Sequence, residues 1–188
     1  MAFIDCDEFL MPRDETDDIV GILDKTIGCQ NCRAGAAINW VMYGSNGHKI
    51  KPRGLVIDSF VKRANLTGKG NDCVKTIVKP SKVIKFAHPH YPIYKFGYYA
   101  VSLSGKVVVD WRNPPSENPG LRINHYFTKS MEEWLERRSL GYANNQKIKR
   151  SIEEFYLHDQ NDVLDDIARR YSIRVNDIMS RSDVQKKA

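Results

Sequence analysis

The sequence predicts an α/β protein in which a mixed sheet is followed by a helical C-terminal layer. Short β-type runs, punctuated by Gly, Pro and Asn, recur from residue 1 to about residue 127. From Thr128 onward the apolar residues fall at helical spacing instead. The 188 residues are 41% hydrophobic, enough to pack one core.

The elements follow in order. Met1-Ala2-Phe3-Ile4 reads as a short buried strand ending at Asp5. Asp17 or Asp18 caps a helix over Ile19, Ile22 and Leu23 that stops near Gly28. Ala34–Tyr43, rich in small and β-type residues, is a second buried strand closed by the Gly44-Ser45-Asn46-Gly47 turn. Gly54–Ala64 fits helix slightly better than strand, and Leu66–Asp72 is a loop. Val74–Val78 and Lys82–Phe86 are strands separated by Pro80. Tyr99–Leu103 and Lys106–Trp111 alternate around Ser104-Gly105, a hairpin signal. Asn113–Gly120, with three prolines, is an exposed loop, and Leu121–Phe127 is another strand. Ser130-x-x-Glu133 is a capping box ahead of Met131, Trp134 and Leu135. A second helix carries Ile152, Phe155 and Tyr156, and a third carries Val163, Leu164, Ile167 and Tyr171. The tail from Ser180 is polar.

Composition narrows the function classes. At 28% charged and with a formal charge of +6, the chain is unlike disordered, collagenous or coiled-coil sequences. No apolar run approaches the ~20 residues of a membrane helix. The N-terminus turns acidic within five residues, unlike a secretory signal, so a soluble cytoplasmic location is expected. The charge is uneven. Met1–Asp18 holds seven acids and one base, whereas Asn46–Lys95 holds eleven Lys or Arg and only Asp58 and Asp72 as acids. A basic stretch facing an acidic cluster suits an anionic ligand bridged by a metal cation, and a solvated lysine-rich surface is the alternative. Nucleic acid has only this charge behind it, with no zinc-finger spacing and no RRM-type aromatic motif. Cys29-Gln30-Asn31-Cys32 lacks a second ligand pair for zinc and follows a helix end, so reduced structural thiols are expected.

The sharpest chemical feature is Phe3-Ile4-Asp5-Cys6-Asp7-Glu8-Phe9. Two carboxylates two residues apart at a strand end can hold Mg2+ or Mn2+ and leave positions for phosphate oxygens. Such a cation would neutralise a departing diphosphate. A solvated turn is the alternative reading of Asp5 and Asp7 alone.

Three blocks occur in one order: FIDCDEF, then Ile38-Asn39-Trp40-Val41-Met42-Tyr43-Gly44-Ser45-Asn46-Gly47-His48, then Arg122-Ile123-Asn124-His125-Tyr126-Phe127-Thr128-Lys129-Ser130. Gly54-Leu55-Val56 with Phe60 and Arg63 lies between the last two. Together they resemble the family 92 glycosyltransferases and their bacterial relatives in the family 2-like group, from Phe3 to about Asp165. The resemblance implies a GT-A fold and a metal-dependent enzyme that moves a sugar from a nucleotide-sugar donor to a glycan or glycolipid hydroxyl. It implies Asp5 and Asp7 as ligands of Mn2+ or Mg2+ and of the diphosphate, with His125 approaching the same metal. It implies Lys129 on phosphate, Asn39 and Trp40 on the acceptor side, and His90 at a substrate position. For His125 a hydrogen-bonded structural role is the alternative, and for Trp40 core packing is. A general base is required; Asp58, in the segment where the chain returns toward the site, is the residue chosen, with Glu132 and Glu133 after His125 as the alternatives and Glu133 committed to capping.

The resemblance divides the chain into a partial GT-A catalytic domain (1–128), a C-terminal helical region (129–181) and a polar tail (182–188). In the family about 80 to 100 residues precede the D-x-D, on the pattern of a nucleotide-binding βαβ half. The chain is therefore expected to lack its donor-binding portion and to have little activity alone. Polysaccharide or glycolipid assembly at the inner face of a membrane, with peripheral association, is the expected setting. The competing readings are a basic α/β module for nucleic acid or an acidic partner, and an inactive remnant.

Overall fold

The computed structural model describes residues 1–14, 18–68, 70–116, 120–141, 147 and 149–185. Glu15 and Asp17 of the acidic cluster, Lys69 of the basic stretch, part of the Asn113–Gly120 loop and the end of the polar tail lie outside the described residues. In chain order the elements are β1 (Glu8–Pro12), α1 (Ile19–Leu23, running on as a π-helical turn, Asp24–Gly28), β2 (Arg33–Met42), α2 (Val56–Ser59), β3 (Lys62–Arg63), β4 (Val74–Val78), β5 (Val83–His88), β6 (Tyr91–Tyr94), β7 (Tyr99–Ser102), β8 (Val107–Val108), β9 (Leu121–His125), α3 (Met131–Leu140), α4 (Ile152–His158), β10 (Val163–Leu164) and α5 (Ser172–Gln185), which follows a 3-10 turn at Ile167–Tyr171. The result is mixed α/β, with a mixed sheet and helices. These elements form two compact units: Met1–Met42 with Ala64–Phe127, and Tyr43–Arg63 with Thr128–Ala188.

The first unit is built around β2. Its Ala-Gly-Ala-Ala-Ile run is buried on both faces, as a central strand requires. β4 pairs antiparallel along one edge of β2, Gly35 to Asn39. On the other edge β7 runs parallel to the first half and β9 parallel to Trp40–Met42. β1 then pairs antiparallel with β9, and β8 with β7. Alternation divides the core. Ala36, Ile38, Val101, Leu121 and Ile123 pack on one face under Ile19, Ile22 and Leu23 of α1, while Ala37, Val74, Ala100 and Val108 pack on the other. Each such burial contributes about 1.5–3 kcal/mol for a Val- or Leu-sized side chain. Gly35 is required here, because a Cβ would collide with the Tyr94 hydroxyl. The β7–β8 hairpin turns through Gly105 at φ +81°, as its Ser-Gly signal predicts. Asp18 supplies the cap of α1, accepting from the Val20 N–H at 2.9 Å.

In the second unit, Ser130 and Glu133 form the capping box of α3, and Ser151 caps α4. Trp134 is fully buried, edge-on to Phe155 with ring centroids 5.7 Å apart, and its indole N–H donates to the Ser151 carbonyl at 3.2 Å.

Several expectations are corrected. Met1–Ile4 is not a strand. Met1 alone pairs, exchanging two 2.8 Å bonds with Val78, while Phe3 and Ile4 stay exposed. The turn at Asp5–Glu8 redirects the chain, and the pairing segment is β1, whose register fits β9. The D-x-D therefore precedes an antiparallel edge strand and does not end a central parallel one. Tyr91–Tyr94, which Pro92 disguises, is a strand that, among the described residues, pairs only with β5. Val163 and Leu164 belong to no helix: they pair with Arg63 and Lys62, and the Asp165 carboxylate meets Arg63 Nε at 2.5 Å. That tertiary clamp overrides the local helical spacing. α5 extends to Gln185, into the stretch read as tail.

Candidate functional site

A polar and aromatic cluster lies on one face of the first unit's sheet, where β1, β9, β2 and β4 meet. Its entrance is the Asp5–Glu8 turn. The Glu8 N–H donates to the Asp5 carbonyl at 3.0 Å, and the Asp5 N–H donates to Glu8 Oε2 at 2.9 Å. This reciprocal clamp fixes the Glu8 carboxylate where β1 begins, while the Asp5 side chain stays largely exposed. Register then brings the remaining side chains to the same face. Glu8 stands opposite His125, Met42 opposite His125 on the other side, Trp40 opposite Ile123, and Lys75 opposite Ile38.

Lys75 lies between the carboxylates. Its Nζ is 2.9 Å from Asp5 Oδ2 and 3.5 Å from Glu8 Oε2, with 2% of the lysine side chain and none of the glutamate exposed. Glu8 Oε1 is buried without a hydrogen-bond partner. Burial pushes the Glu8 carboxyl up to about 7, against the opposing pull of the Asp5 N–H and the Lys75 charge. Asp7, also buried, holds Oδ1 3.8 Å from His125 Nε2. The Trp40 ring packs 4.2 Å from His125 and 4.8 Å from His90, and its indole N–H has no hydrogen-bond partner. His90 Nδ1 lies 3.0 Å from the Val74 carbonyl, so this nitrogen carries the proton and Nε2 is left as an acceptor. Burial, helped by the Lys75 charge, lowers the His90 imidazole to about 4.

Of the residues singled out in the sequence, Asp5, Asp7, Trp40, His90 and His125 thus converge. The donor types, carboxylate oxygen and imidazole nitrogen, suit Mn2+ or Mg2+ with phosphate oxygens completing the shell. Asp7 and His125 are close enough to share one ion, and the Lys75 ammonium already shows that positive charge is accommodated beside Asp5. Among the described residues, no group of three or more His, Cys, Asp or Glu side chains is placed to hold a metal ion.

The other predicted residues lie elsewhere. Asn39 projects from the opposite face of β2. Its Nδ2 donates to the Asn71 carbonyl at 2.9 Å and the Asn113 carbonyl at 2.7 Å, and its Oδ1 accepts from Asn113 at 3.1 Å. It pins two loops. Asn39 also borders a cleft of about 660 Å3 that opens where β7 and β9 part from β2, between Ser102, Leu103, Leu121 and Lys106. None of the converging residues lines that cleft. Asp58 and Lys129 belong to the second unit. The Asp58 carboxylate accepts from the Ser172 hydroxyl, and its carbonyl accepts from Arg169 at 2.6 Å. Lys129 precedes α3, and its Nζ is 4.0 Å from Glu133 Oε1 in that helix's first turn. The Gly44–His48 block is architectural as well. Ser45 N–H and Oγ both donate to Asp159, at 2.5 and 3.0 Å, and the Asn46 N–H donates to Asn161 at 2.8 Å.

Sequence reasoning missed Glu8 and Lys75 as members of the cluster. The signal for Lys75 was a lysine inside an apolar strand, Val-Lys-Thr-Ile-Val, where alternation gives a charge no exit to solvent. No helix among the described residues is long and apolar enough to cross a membrane. Comparison of the chain with protein-family models, curated proteins and solved structures finds no match.

Proposed function

We propose that the chain carries the metal and diphosphate site of a GT-A-type glycosyltransferase resembling family 92, one that transfers a sugar from a nucleotide-sugar donor to an acceptor hydroxyl. The observation that carries this reading is the convergence of Asp5, Asp7, Trp40, His90 and His125, five residues drawn from four separate segments, on one face of one sheet. Asp7 and His125 would hold Mn2+ or Mg2+, with Asp5 contributing on exchange of its lysine partner. The ion supplies charge neutralisation for the departing diphosphate. Lys75 adds a fixed positive charge beside Asp5. Trp40, whose buried indole N–H has no partner among the described residues, would contribute to a sugar subsite, and His90 would offer an acceptor nitrogen to a hydroxyl. Asp58, chosen as base from the sequence, instead fastens α5 and is withdrawn from the proposal.

The test is thermal melting with UDP and Mn2+. Ligand at a hundredfold excess over Kd stabilises by about 2.7 kcal/mol, a shift on the order of 5–10 °C for a chain of this size. The shift is expected in the wild type and lost in Asp7→Asn and His125→Ala. An equal shift in both variants would sink the assignment.

A further inference from the structure

From Val74 to Val109 the chain contains lysines at 75, 79, 82, 85, 95 and 106 and no aspartate or glutamate. Lys75 is enclosed in the site described above, and Lys79 donates to the Ile27 carbonyl at 2.7 Å. The next three belong to the β5–β6 hairpin. Lys82 lies over the Tyr98 ring and donates to its hydroxyl at 2.9 Å, while Lys85 and Lys95 are exposed and form no ion pair among the described residues.

The same hairpin is a two-stranded sheet of its own, and it displays large apolar side chains. Ile84 is 61% exposed, Ile93 44%, and Phe96 is completely exposed. Pairing sets them among the lysines. Lys85 stands opposite Ile93, the Lys95 N–H donates to the Lys82 carbonyl at 3.0 Å, and Phe96 follows in the tight turn from Lys95 to Tyr98. Gly97 at φ +82° forms that turn. Scattered exposed apolar residues are normal on a protein surface. An acid-free group of lysines interleaved with two isoleucines and a phenylalanine at a turn has the composition of an interfacial membrane contact.

We propose that the β5–β6 hairpin docks on an anionic phospholipid bilayer, with Phe96, Ile84 and Ile93 entering the boundary between headgroups and acyl chains and Lys82, Lys85 and Lys95 meeting lipid phosphates. The aliphatic side chains favour lipid over nucleic acid, because an exposed isoleucine offers a base no stacking surface whereas a bilayer removes it from water. The proposal stands apart from the transferase reading. Its failure leaves the UDP and Mn2+ stabilisation untouched, and the reverse holds too.

The experiment is co-sedimentation of the full chain with vesicles of phosphatidylcholine alone and of phosphatidylcholine mixed with phosphatidylserine, at physiological salt. Binding to the mixed vesicles only is expected. Lys85→Glu with Lys95→Glu should weaken it at least about tenfold, the loss anticipated from reversing two juxtamembrane charges. Phe96→Ser should weaken it without altering the melting curve, since the ring is fully exposed. As a second readout, Phe96→Trp should shift its fluorescence to the blue on adding mixed vesicles. No binding by the wild type, equal binding by the charge-reversed variant, or an unshifted tryptophan overturns the proposal. So does salt-sensitive RNA binding lost in Phe96→Ser while vesicles stay unbound, or a dimer in the ultracentrifuge that the same substitution dissolves.

Discussion

Carboxylates do opposite work in the two units. In the second, three are bound into the architecture: Asp159 accepts from both donors of Ser45 and from Asn161, Asp165 meets Arg63, and Asp58 receives Ser172. In the first, Asp5, Asp7 and Glu8 crowd one turn beside a single lysine and a histidine, and Glu8 keeps one buried oxygen without a hydrogen bond. Satisfied carboxylates fix loops in place. Crowded ones hold unfavourable like-charge energy that a bound cation relieves. The difference separates scaffold from candidate site without any appeal to sequence motifs.

The largest effect is expected where that scaffold is cut. Asp165→Ala leaves the nearly buried Arg63 guanidinium without its carboxylate, so a loss of about 3 kcal/mol in urea unfolding is predicted. A loss below about 1 kcal/mol would erase the contrast, because the pair would then behave like a solvated surface ion pair.

The crowded side is sharpened by pH, in the metal-free chain. The Glu8 carboxyl is raised from 4.5 to about 7 in the folded state. Between those values the folded chain binds more protons than the unfolded one, so stability falls as pH rises. The Glu8 contribution is complete below pH 4.5 and lost by about pH 7, a swing of roughly 2–3 kcal/mol. Glu8→Gln should therefore match the wild type at pH 4.5 and exceed it by roughly 2 kcal/mol at pH 8. A variant less stable than wild type at pH 8 would mean that the Lys75 ion pair outweighs the burial of charge.

A smaller effect is predicted for Asp58→Ala. Losing the Ser172 hydroxyl bond costs about 1 kcal/mol, and UDP with Mn2+ should stabilise the variant as much as the wild type. A vanished ligand shift in Asp58→Ala would return this residue to the site and blur the division between the two carboxylate populations.

The pattern of success in the sequence has physical causes. The central strand, the β7–β8 hairpin and the α3 capping box were legible because glycines, alternation and cap residues act locally. The Met1–Ile4 and Val163–Tyr171 readings went astray because long-range partners decide there: Val78 and β9 for the first, Arg63 for the second. Asp5, Asp7 and His125 were candidates in the sequence; Lys75 stood out there only as a charge inside an apolar strand, not as their neighbour. Its role depends on the register of β4 against β2, a relation that no spacing within Val74–Val78 encodes.

His90 gives the smallest and most local test of the crowded face. Its imidazole is lowered from 6.5 to about 4, chiefly by burial and then by the Lys75 charge. Between pH 4 and 6.5 the unfolded chain binds the extra proton, so this group's stabilisation is complete above 6.5 and fades as pH falls toward 4. With partial exposure screening the effect, about 1 kcal/mol is expected. The direct measurement is the imidazole NMR signal of His90, which should stay at its neutral position from pH 8 down to 5. In Lys75→Met one of the three depressing influences, burial, Lys75 and His88, is gone, and the His90 titration should move upward while its Nδ1 hydrogen bond to Val74 persists. A titration unmoved by Lys75→Met would mean that burial, with His88, sets this group, and that the lysine's field does not reach across the face to the aromatic side of the candidate site.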